Sequence, residues 1–213
     1  MEGTVSASGG TTPATVMIIR HGEKPGDPSD DSDGGPDLSV QGGARAAALP
    51  GLFLSATPNL GCALDLAQSD ATFTGQYAKT AVPGTSPRFS TPDYLFATAD
   101  SSQSSRPRQT ITPTAAALGL SINNEYNNKQ KHIDDLAALL WTAPYAGKIV
   151  LICWHHGTIQ ELAGALNGTG ATKWVGTVFD RLWVITYSQG LAIQQFGQQL
   201  LFGDEVTVPT NPW

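Results

Sequence analysis

Val16-Met17-Ile18-Ile19-Arg20-His21-Gly22 decides the fold. Four consecutive apolar residues ending abruptly in Arg-His-Gly read as a buried strand that delivers a guanidinium and an imidazole to the carboxyl edge of a sheet, where open α/β folds bind ligands. Imidazole can attack phosphorus, and a guanidinium fork can grip phosphate oxygens in pairs. On its own the tripeptide is equally compatible with a polar loop after a core strand, so its meaning depends on the rest of the chain.

Two further segments repeat the arrangement. The apolar stretch Tyr94-Leu95-Phe96-Ala97-Thr98-Ala99 precedes Ser104-Ser105-Arg106-Pro107-Arg108-Gln109-Thr110. Pro107 suits a first helical turn, where its missing N–H is not needed, and this puts Arg106 at a helix N-terminus that already favours anions. Lys148-Ile149-Val150-Leu151-Ile152-Cys153-Trp154-His155-His156-Gly157 is again a hydrophobic strand with a polar end. The following Thr158 to Leu166 has helical spacing, with Ile159, Leu162, Ala163 and Leu166 on one face. Three strands thus each deliver cationic or imidazole groups where a helix begins.

Taken together, RHGEKP from Arg20, SSRPRQT from Ser104 and CWHHGTIQELA from Cys153 resemble the three core motifs of the histidine phosphatase superfamily, the phosphoglycerate-mutase-like proteins. The resemblance extends from about Val16 to about Tyr187. It includes Phe179 to Tyr187, similar to a late strand in a poorly characterised branch with RH-x-EKP and WHH signatures. It implies a three-layer α/β sandwich with a mainly parallel central sheet. It also implies Arg20, His21, Arg106 and His156 as the catalytic core. Arg106 fits the pattern Arg, small, any, Gln, Thr better than Arg108, and His156, not His155, stands immediately before Gly. His21 would take the phosphoryl group, and water would then hydrolyse the phosphohistidine. Arg20, Arg106 and His156 would hold the non-bridging oxygens, with Gly22 and His155 lining the substrate site and Lys24 adding positive charge. The His21 ring would be fixed by a hydrogen bond from its other nitrogen to a backbone carbonyl. Three carboxylates are candidates for the acid that protonates the leaving group: Glu23, the preferred one, Asp100 and Glu161. Glu23 has a structural alternative as the ion-pair partner of an arginine.

No metal or cofactor is expected, because guanidinium and imidazole groups supply the positive charge that phosphoryl transfer needs. The acidic stretch Asp27 to Asp37 fails as a calcium loop, since placing Gly34 sixth puts Val40 where the twelfth-position Glu belongs. No Cys or His cluster has zinc spacing. The expected partner is a small phosphorylated substrate. A net charge of −6 with 12 basic residues argues against nucleic acid, and no run approaches the roughly 18 apolar residues of a membrane span. Competing functions are a phosphoglycerate-mutase-type phosphotransferase, a protein phosphohistidine phosphatase, and a phosphate-binding pseudoenzyme without turnover. The sequence does not indicate the oligomeric state.

The 213 residues, 40% of them hydrophobic, suit one domain. Residues 1–12 lack a basic start and an apolar core and read as a flexible tail, not a secretory signal. Residues 13–213 form the domain. Cys62 and Cys153 do not make a disulfide scaffold, which favours a cytoplasmic setting, and Cys153 reads as a buried core thiol. A helix is expected over Val40 to Leu49, capped by Ser39 and limited by Pro50-Gly51. Another is expected over Lys131 to Trp141. A hairpin should join Leu182–Tyr187 to Leu191–Phe196 through Ser188-Gln189-Gly190. The Pro-, Gly- and Ser-rich stretch at about 57–92 reads as an insertion and the candidate source of specificity.

Overall fold

The computed structural model describes residues 11–26, 35–54, 87–201 and 203–204. Most of the insertion at 57–92 and most of the 1–12 tail lie outside the described residues, as does Cys62. The described strands are β1 (Thr15–Arg20), β2 (Tyr94–Ala97), β3 (Ile122–Asn123), β4 (Ile149–Trp154), β5 (Arg181–Thr186) and β6 (Gln194–Gly197). They form one sheet in the order β3-β2-β4-β1-β5-β6. The first four positions are parallel, whereas β5 runs antiparallel to both β1 and β6. The sheet is therefore mixed, with a parallel block carrying the three polar strand ends.

Helices α1 (Val40–Ala48), α2 (Arg106–Leu118), α3 (Gln130–Leu140) and α4 (Ile159–Ala165) cover both faces. Alternation along the strands explains the two cores, because successive side chains point to opposite faces. Met17 and Ile19 of β1 pack with Leu49 and Leu52 beyond α1 and with Ile111 of α2. Val16 and Ile18 pack with Ile133 and Leu136 of α3 and with Ile159 and Leu162 of α4. The result is a three-layer α/β sandwich. Cys153 is buried in the first core, which pushes its thiol pKa far up by desolvation.

Local signals account for the element ends. The Ser39 side chain accepts from Gly42 N at 3.0 Å and caps α1. Pro50 then diverts the chain into a 3-10 turn, Leu49–Leu52. Gly119, in the left-handed region at φ 66°, terminates α2. The terminal hairpin is present, but its connection is longer than the expected three residues. The backbone of Leu191 and Ile193 bonds Thr169 instead of extending the ladder, so β6 begins only at Gln194. The two-residue strand β3 gave no sequence signal.

Register brings the chemistry to one edge. Arg20 pairs with Trp154 across β1 and β4, and Ala97 pairs with Cys153 across β2 and β4. The three motif strands therefore end level with one another. From β1 the chain leaves through α1 toward β2. From β4 it leaves through α4 toward β5, over the opposite face. Such a divergence opens a crevice at the carboxyl ends of the two central strands.

Candidate active site

His21 is the first residue beyond β1 and is only 3% exposed. Its backbone N–H still donates to Trp154 O at 3.2 Å, which continues the sheet's restraint by one residue. Its Nδ1 lies 2.7 Å from Gly22 O. A carbonyl only accepts, so Nδ1 carries the proton and Nε2 keeps the lone pair. Burial and the nearby positive charge of Arg20 lower the His21 pKa well below its ordinary value, with His155 and Arg106 adding to the effect. The Gly22 carbonyl opposes this but is outweighed. The imidazole is thus neutral, with a defined tautomer.

Arg20, the last residue of β1, is 2% exposed. Its Nη1 donates to Gly176 O and, at 3.2 Å, to Val178 O. The guanidinium carbon sits 3.5 Å from the centroid of the Phe179 ring. Arg106 opens α2, is 7% exposed, and donates from Nη1 to Gly35 O at 2.6 Å. Its charge acts on both His21 and His155.

His155 caps the 3-10 turn His156–Thr158 that leads into α4. Its ring stands edge-on to that of His21, with centroids 5.4 Å apart. Burial and the charges of Arg106, His156 and Arg20 lower its pKa to about 4. The His156 ring lies against Gly176, where a Cβ would meet Nε2 at 3.5 Å. Arg20, His21, Arg106, His155 and His156 therefore gather at the strand ends.

Glu23 behaves differently from the preferred expectation. It is 5% exposed, and its carboxylate is gripped by Arg45 of α1 through Nε at 3.0 and 3.1 Å and Nη2 at 2.7 Å. Arg45 in turn binds both oxygens of Asp204 at 2.9 and 3.0 Å. The carboxylate is committed to the guanidinium, and the geometry matches the ion-pair alternative. Asp100 pairs at 2.7 Å with Arg108 on the partly exposed rim. Glu161 points to solvent from the first turn of α4.

Gly22 also has a structural duty. Its N–H donates to Thr110 Oγ1 at 2.8 Å, and that hydroxyl donates to Arg106 O at 2.8 Å, which ties the first motif to the second. A Cβ on Gly22 would approach Gly42 O to 3.0 Å, and one on Gly42 would approach Glu23 O to 2.3 Å. The two glycines let α1 press against the loop after β1.

Sequence reasoning did not single out Arg45, Asp204 or Gly176 as functional, and read Phe179 only as part of a late strand. Arg45 offered one signal, as the lone charge in the Gly- and Ala-rich helix VQGGARAAA. Among the described residues, no group of three or more His, Cys, Asp or Glu side chains could hold a metal ion. No helix among them is long and apolar enough to cross a membrane.

No protein-family model matches the chain, and no curated protein sequence matches it significantly. Among solved structures it is similar to the "putative phosphohistidine phosphatase SixA" from Agrobacterium tumefaciens. The match has 17% identity and a TM-score of 0.39 and covers 82% of this chain and 92% of the other. That is a loose overlap.

Proposed function

We propose that the protein is a metal-independent phosphomonoesterase that works through a phosphohistidine on His21. The observation that carries this reading is the state of the His21 ring: buried, neutral, with Nδ1–H held by Gly22 O and Nε2 left with its lone pair. A nucleophile of this kind beside cationic groups suits attack on an anionic phosphorus centre. The Nε2 lone pair forms the N–P bond as the ester P–O bond breaks, and the departing oxygen takes a proton from solvent. Water then attacks phosphorus and gives up a proton to solvent, the N–P bond breaks, and inorganic phosphate leaves with the ring neutral again. Arg20, Arg106 and His156 stabilise charge on the non-bridging oxygens through donors fixed in advance.

With Glu23 committed to Arg45, leaving groups that need little protonation are the favoured probes. Hydrolysis of p-nitrophenyl phosphate by the wild type, undiminished by EDTA and lost in His21→Ala, is the expected result. Turnover retained in His21→Ala overturns the assignment. Vanadate binding without turnover on any phosphomonoester would instead mark a phosphate-binding protein.

A further inference from the structure

The segment between α4 and β5 forms a wall of the site that none of the three strand-end motifs announces. Gly176 O and Val178 O both accept from Arg20 Nη1, and Phe179 lies under the guanidinium at 3.5 Å. The segment is itself braced. Val178 N donates to Val175 O at 3.0 Å, and Trp174 Nε1 donates to Val178 O at 2.8 Å. Trp174 is 2% exposed and packs its ring 5.2 Å from that of Trp183 in β5, so the brace is rooted in the core. The same wall reaches His156 through Gly176 and stands 6.2 Å from the His21 ring through Phe179.

Resting on the phosphatase reading, we propose that Phe179, with the turn that precedes it, is a positioning residue for Arg20. An arginine side chain is long and rich in rotamers, yet a bidentate grip on a phosphoryl group requires its plane to be fixed beforehand. An aromatic face and two backbone carbonyls restrain the guanidinium. Phe179 sets the plane, and the carbonyls of Gly176 and Val178 set the rotation of the fork within it.

A merely packed phenylalanine, 6% exposed, would look similar in a stability assay, so the test is a double-mutant cycle read by orthovanadate titration. The proteins are wild type, Phe179→Met, Phe179→Tyr, Arg20→Met and Phe179→Met/Arg20→Met, each checked for fold by circular dichroism. Met keeps the volume and removes the ring face. The expected result is vanadate affinity lowered about tenfold by Phe179→Met, changed by less than about threefold by Phe179→Tyr, and not lowered further by Phe179→Met once Arg20 is Met. An unchanged affinity in Phe179→Met, or the same loss in the Arg20→Met background, overturns the proposal. Should Phe179→Met not fold, Phe179→Leu carries the same cycle. Unfolding of both while Phe179→Tyr folds would assign the ring to core packing and also overturn it. A folded wild type that neither binds vanadate nor hydrolyses a phosphomonoester overturns the phosphatase reading first, and this proposal with it.

Discussion

Arg20 and Arg45 are nearly equally buried, at 2% and 3% exposure, yet the chain surrounds them differently. Arg45 lies between the carboxylates of Glu23 and Asp204, which drive its pKa further up despite the burial that opposes them. Arg20 is held by backbone carbonyls and an aromatic face, and its charge is felt by His21. The first guanidinium is matched by anions and acts as a clamp between the loop after β1 and the segment near 204. The second projects its field onto the His21 imidazole. A buried arginine is therefore informative about function through what it faces, more than through its burial.

Substitution should separate the two roles. Arg20→Met is expected to lower kcat/KM by about 100- to 1,000-fold, the usual loss for a transition-state donor, with little change in Tm. Arg45→Met should do the reverse. It strands two buried carboxylates and should cost about 3–5 kcal/mol of stability, while kcat per folded molecule changes far less. Chemical denaturation combined with kinetics on the folded fraction checks both. A large stability loss in Arg20→Met with normal kcat/KM would erase the distinction. Replacing the whole cluster, as Arg45→Met/Glu23→Leu/Asp204→Leu, should recover most of the stability, because no uncompensated charge remains.

Acid should affect the two regions in sequence. His155 is held neutral, its pKa lowered from 6.5 to about 4. Between those values the unfolded chain binds more protons than the folded one, so stability falls as pH drops through that window. The lowered Asp204 pKa contributes stability above the ordinary 3.8 that is lost only as pH falls through its folded value. Tm measured against pH should therefore flatten in the upper window for His155→Gln and in the lower one for Asp204→Asn. In Arg20→Met the His21 pKa should rise, since a positive neighbour is gone, and NMR titration of the ring would show it. No upward movement would mean that burial, with His155 and Arg106, holds the pKa down without Arg20.

The smallest effects concern the glycines. Gly22→Ala must move α1 by a few tenths of an ångström and should cost about 1–3 kcal/mol. Gly176→Ala places a Cβ in ordinary contact with His156 and should change kcat/KM by less than about threefold. Together they measure how tightly each wall is packed.

The parallel block and its polar ends were legible in the sequence because a buried strand must be an apolar run and its end is marked by the first charged residue. The capped start of α1 and the buried face of α4 were legible for similarly local reasons. Pairings across the chain were not. Glu23 reads as a candidate acid or as an arginine's partner, but the fold alone names Arg45 as that partner, held on its other side by Asp204, 159 residues away from it. Phe179 reads as the start of a strand until Arg20 is seen above it. The hairpin connection was misjudged because Thr169, not the opposing strand, captures Leu191 and Ile193.

His21 is expected to accept the phosphoryl group. The most direct test is to quench the protein during turnover of p-nitrophenyl phosphate, digest it under alkaline conditions that preserve phosphohistidine, and locate the label by mass spectrometry. One acid-labile phosphoryl group is expected on the peptide containing His21, absent from His21→Ala. Trapped label on a different residue, or label that persists in His21→Ala, would contradict it.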